Sequence, residues 1–96
     1  MILNLSKYSP VINTSVVAEE IFNAIFSNII NDDKIIVDFK NIKTMTTFCA
    51  RQIFGTLYIN LSPKIFFDKI VFQNTSDDLK SIIKIGIEDA LDSEIN

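Results

Sequence analysis

A chain of 96 residues that is 48% hydrophobic, with only two glycines and two prolines, is one domain's worth of globular sequence. Such a chain buries about 60–70% of its unfolded surface around a single modest core. A net charge of −3 argues against nonspecific nucleic-acid binding, which needs a basic surface to release counterions.

The chain begins with "ILNLS" at residues 2–6, whose alternation of apolar and polar residues predicts a half-buried strand. Pro10 interrupts pairing and predicts a bend, with a short edge strand at Val11 and Ile12. Asn13 or Thr14 can then cap a helix through a side-chain oxygen that accepts from an orphan backbone N–H. Val17, Ile21, Phe22, Ile25, Phe26 and Ile29 recur at helical spacing, and Glu19 and Glu20 are placed near the positive end of that helix. "NDD" makes the turn into "KIIVDF", residues 34–39, a continuous β-branched run that predicts a strand covered on both faces.

The loop "KNIKTM" leads to a second helix from about Thr47 to Leu61, with Ala50, Ile53, Phe54, Leu57, Tyr58 and Leu61 on its buried stripe. Gly55 inside that helix costs about 1 kcal/mol relative to alanine, so its presence predicts close approach to a neighbouring backbone. "SPKIFFD" connects to a strand at 69–74, and Thr75 or Ser76 caps a last helix striped by Leu79, Ile82, Ile83, Gly86, Ile87, Ala90 and Leu91. The sum is an α/β fold: a small, largely parallel sheet of three to four strands packed with about three helices, in one domain spanning 1–96.

Several chemistries are excluded or poorly equipped. Histidine is absent, so no Ser-His or Cys-His nucleophile pair exists, and the single cysteine, Cys49, forms no internal disulfide. Cys49 lies near a helix N-terminus, which can activate a thiol, but its neighbours Phe48 and Ala50 favour a half-buried core residue. Two glycines cannot build a phosphate loop, and a zinc site would need scattered carboxylates. The pairs Asp32–Asp33, Asp77–Asp78 and Glu88–Asp89 read as a turn, a helix start and a solvated face. No enzyme activity, cofactor or metal is expected. Charge is unevenly spread. Lys34, Lys40, Lys43 and Arg51 outnumber Asp38 near the centre, whereas Asp77, Asp78, Glu88, Asp89, Asp92 and Glu94 outnumber Lys80 and Lys84 at the end. The start "MILNLSKYSP" has no basic segment followed by a long apolar run, and no run approaches the ~20 residues that span a bilayer. A cytoplasmic location without membrane contact is the expectation.

The stretch "IIVDFKNIKTMTTFCARQIFGTL" resembles the central signature of STAS domains, the fold of the anti-sigma factor antagonists. Asp38 matches a strand-end aspartate, Ile42 and Met45 match apolar loop positions, and Thr46–Thr47 match the acidic-plus-serine pair that opens a helix. A closer resemblance is to the bacterial STAS-like family of unknown function, through Asp38-Phe39, Thr46-Thr47-Phe48, Phe54-Gly55 and Leu57. The order of elements agrees over residues 2 to 91, and the distinctive part is 35–57.

The resemblance implies a regulatory protein–protein interaction module. In the antagonist family a partner with a histidine-kinase-like ATPase fold binds the unphosphorylated domain and phosphorylates it at the helix N-terminus. By position Thr47 would be the phosphoacceptor and Thr46 would stand for the preceding acidic residue, with Asp38, Lys40, Lys43 and Arg51 as support. Threonine here replaces serine, and the acidic charge beside it is missing. Two other readings compete. One is a constitutive structural or oligomerisation domain, motivated by Ile85 off the last helical stripe and by the adjacent Phe66 and Phe67; it leaves a homodimer open. The other is a nucleotide site at the same helix end.

Overall fold

A computed structural model describes the backbone of residues 1–95 and the side chains of residues 1–93, so Glu94 of the acidic run lies outside the described side chains. Strands β1 (Ile2–Asn4), β3 (Ile35–Asp38) and β5 (Ile70–Gln73) form a parallel sheet in the order β1-β3-β5. Its register sets Leu3 beside Val37 and Phe72, and Ile2 beside Ile36 and Val71. A second, two-stranded parallel sheet pairs β2 (Val11–Ile12) with β4 (Thr44–Met45). The expected edge strand at Val11 and Ile12 is therefore present, but its partner comes from the loop "KNIKTM".

Helix α1 (Ser15–Phe26) crosses from β1 to β3, and the helical segment 47–61 followed by α4 (Pro63–Lys69) crosses from β3 to β5. The segment 47–61 comprises α2 (Thr47–Ala50), a π-helical turn (Arg51–Gly55) and α3 (Thr56–Leu61). Both crossovers step in the same direction across the sheet, and crossovers of one hand then lie on one face. Leu3, Ile35, Val37, Ile70 and Phe72 point to that face. Ile2 and Val71, on the other, are exposed, and Ile36 is half-buried. The expectation that the central strand is covered on both faces is thus corrected: helices form one layer only.

The core is held by Phe39, Phe54 and Phe72, with Phe54 edge-on to Phe72 at 5.3 Å, and by Phe66 edge-on to Tyr58 at 5.3 Å. Such pairs add about 0.5–1.5 kcal/mol beyond their buried area. In α1, Ala18, Ile21 and Ile25 face the core, whereas Phe26 is exposed and stacks on Phe22. The first turn of α1 carries no acidic residue, because the helix starts at Ser15. Glu20 instead accepts a hydrogen bond from the Tyr8 hydroxyl at 3.1 Å. "SPKIFFD", expected as a connector, is largely α4; of its two phenylalanines Phe66 is fully buried and Phe67 is exposed.

Helix α5 (Asp77–Ile95) packs back along the segment 47–61, and each glycine explains the other. A Cβ on Gly55 would lie 2.7 Å from Ala90 Cβ and 2.8 Å from the Gly86 carbonyl oxygen. One on Gly86 would lie 2.6 Å from the Arg51 nitrogen. The close approach expected at Gly55 is present, and it falls on the π-helical turn, where the Thr56 N–H reaches back to the Arg51 carbonyl.

Between α3 and α4, Ser62 takes φ 75° and ψ 154°, a conformation open essentially to glycine alone. Ser62→Gly removes strain of order 1–3 kcal/mol. It also adds unfolded-state entropy worth about 0.5–1 kcal/mol. A net gain of about 1 kcal/mol is expected in urea unfolding, as a raised midpoint at constant slope.

Candidate functional site

Strands β2 and β4 run parallel and in register, and each leads directly into a helix. The N-termini of α1 and of the segment 47–61 are consequently brought together at one end of the molecule. The Cys49 thiol donates to the Thr14 carbonyl at 3.5 Å. Gln52 Nε2 donates to the Ser15 carbonyl at 3.1 Å, and the Ser15 hydroxyl reaches Gln52 Oε1 at 3.1 Å. Two positive helix-dipole ends thus point toward the same surface.

The two threonines separate in role. Thr46 takes extended backbone angles, and its Oγ1 accepts from the Cys49 N–H at 3.2 Å, which makes it the cap. Its carbonyl accepts from Ala50 N–H at 3.0 Å, and its own N–H donates to the Ile12 carbonyl at 3.0 Å, locking the cap to β2. Thr47 is the first helical residue; it is exposed, and its hydroxyl makes no hydrogen bond among the described residues. Thr46→Ala is expected to cost about 1 kcal/mol, the usual loss for a missing cap, seen as a lower melting temperature.

Phe48 follows Thr47 with 64% of its surface exposed, and Val16 in the first turn of α1 is 70% exposed. From its neighbours Phe48 and Ala50, Cys49 is expected to be a half-buried core residue, and Phe48 is absent from the expected buried stripe. The helical phase buries Cys49 and Ala50 and turns Phe48 outward, so Cys49 is fully rather than half buried. Phe48, Arg51, Gln52 and Ser93 line a groove of about 480 Å³ that runs from the start of α1 to the end of α5.

Asp38 ends β3. Its Oδ1 accepts from Asn74 Nδ2 and from the Lys40 backbone N–H, both at 2.9 Å, and its carbonyl accepts from the Leu5 N–H. Asn74, at φ 53°, was not singled out by sequence; an Asn at the end of a strand is the only signal it left. The Asn74 amide first, and the Lys40 N–H second, hold the Asp38 carboxyl below its usual range, against a desolvation penalty. The Lys40 charge adds a smaller pull in the same direction. A carboxyl depressed by folding contributes stability that is fully present above its unfolded value, near 3.8, and is lost as pH falls through the lower folded value. Wild type and Asp38→Asn should therefore differ by a constant amount between about pH 7 and pH 5, and converge below about pH 4. Urea midpoints across that range measure it.

The basic residues make separate contacts. The Arg51 guanidinium donates to the Ser93 hydroxyl at 2.7 Å, on the α5 side of the groove. The side chains of Lys40 and Lys43 are exposed in the loop before β4, where their backbones bond Asp38 and the Pro10 carbonyl. Among the described residues no three His, Cys, Asp or Glu side chains converge as metal ligands would, and no helix is long and apolar enough to cross a membrane.

The family model of the STAS-like domain of unknown function (DUF4325) matches residues 18–80. The chain belongs to this family. The match runs from within α1 through β3, the threonine pair and β5 into the first turn of α5, so it takes in Asp38, Thr46, Thr47 and Phe48, while β1, β2, Val16 and Ser93 lie outside the matched residues. No curated protein and no solved structure matches the chain.

Proposed function

We propose that this STAS-like domain is a non-catalytic regulatory module that binds another protein through the surface around Thr47 and is switched by phosphorylation there. The observation that carries the reading is the division of labour in the threonine pair. Thr46 is consumed as the cap, which leaves an exposed hydroxyl at Thr47 with no structural task. Exposed Phe48 and Val16 supply apolar anchors on either side, of the kind that dominate binding energy at interfaces.

A phosphate on Thr47 adds about −1.5 to −2 charges and lies where helix dipoles and free N–H groups tolerate it, so the fold survives modification. Against an apolar or acidic partner surface the same charge opposes docking. The partner of this reading is a protein with a histidine-kinase-like ATPase fold. The γ-phosphoryl group of its ATP passes to Thr47 Oγ1, with ADP leaving and the hydroxyl proton released.

Intact mass after incubation with ATP and host lysate tests the reading. One added phosphate on wild type and on Thr46→Ala, and none on Thr47→Ala, is the expected pattern. Absence of phosphate on all three, with circular dichroism showing them folded, would reduce the surface to a constitutive contact.

A further inference from the structure

Away from the threonine site, α4, β5 and α5 enclose a second groove of about 450 Å³. Phe67, 65% exposed, stands on one side with Phe72 at the floor, and Ile87 and Leu91 of α5 form the other side. Above those aliphatic side chains runs a row of exposed residues spaced four apart, Lys80, Lys84, Glu88 and Asp92, each one turn from the next. The row reads two positive charges and then two negative charges.

We propose that this groove is the interface of a homodimer in which two copies of α5 lie antiparallel. A two-fold axis across α5 at the level of Gly86 sets Lys84 against Glu88 of the partner subunit and Lys80 against Asp92 of the partner subunit. The operation also generates the reciprocal pairs. A row of two positive and two negative charges is its own complement when reversed, whereas a uniformly acidic or basic partner would be repelled along half its length. The same symmetry brings Phe67 of each copy to the apolar groove of the other, so the knob and the hole belong to one isologous patch. Apolar contact supplies the affinity here, and the rim charges set the register.

Sedimentation equilibrium of the full chain from about 10 μM to about 1 mM tests the proposal, a range that covers weak to moderate dimers. The expected mass rises from 10.9 kDa toward twice that value with concentration. Phe67→Asp, Lys84→Glu and Glu88→Lys are each expected to raise the dimer Kd at least tenfold. Lys84→Glu combined with Glu88→Lys restores it, because the exchanged charges face each other again. A mass fixed at 10.9 kDa throughout overturns the proposal and leaves the groove to a different protein. So does a dimer that the single exchanges leave intact, or one that the double exchange fails to restore.

Discussion

Gly86→Ala is expected to destabilise the domain by about 2 kcal/mol, although alanine is the better helix former. In an open helix the change would gain about 1 kcal/mol. Here the new methyl would sit 2.6 Å from the Arg51 nitrogen, 2.7 Å from the Ala50 carbonyl carbon and 2.8 Å from Ala50 Cβ. Two of these are backbone atoms of a continuous helical segment, so no side-chain rotation relieves them and α5 must move outward. Overpacking of this kind costs about 1–3 kcal/mol, occasionally more, and the upper end applies because backbone is the obstacle. Sterics therefore win over propensity. Separation of α5 would also loosen the packing around Ala90 and Leu79, both buried in the present arrangement. For a domain whose total stability is of order 5–15 kcal/mol, the loss lowers the melting temperature by about 10 °C. Gly55→Ala should behave alike, since Ala90 Cβ and the Gly86 oxygen stand in its way. A variant as stable as wild type would mean that the two helices can part without cost.

On the proposed function, Thr47→Glu is expected to weaken binding of the proposed ATPase-type partner at least tenfold, or ~1.4 kcal/mol, while leaving the melting temperature nearly unchanged. Glutamate carries one charge where a phosphate carries nearly two, so the effect is a lower bound on the modification itself. The fold is spared because Thr47 is exposed in the first helical turn, where a negative side chain is favoured. Phe48→Ala provides the contrast. It removes an exposed ring without adding charge, and should lower affinity through lost contact alone. Calorimetric titration of the partner captured from host lysate separates these effects. Equal affinity of Thr47→Glu and wild type would remove the switch from the proposal.

Much of this domain was legible in its sequence. Continuous β-branched residues marked β3, helical stripes marked α1, the segment 47–61 and α5, and Gly55 announced a close crossing before any partner for it was known. Those signals are local: they arise from side-chain periodicity and from the conformational cost of single residues, and both are written in neighbouring positions. The "MTTF" stretch also located the candidate site, and its pattern matched the family to which the chain belongs.

Other features were decided only by tertiary structure. Which threonine caps depended on the Thr46 N–H pairing with the Ile12 carbonyl, a contact over more than thirty residues that fixes where the helix begins. The short β4 exists only because β2 lies beside it; two residues have too little pattern to declare themselves. Asn74 gained its role from the register that sets Gln73 beside Asp38. Strand order put both crossovers on one face of the sheet, and the incomplete burial of Ile36 on the other face followed from that topology and not from its own hydrophobicity. Sequence determined which segments form and which of their faces are apolar. The fold alone determined which faces met, because that choice rests on contacts between residues far apart along the chain.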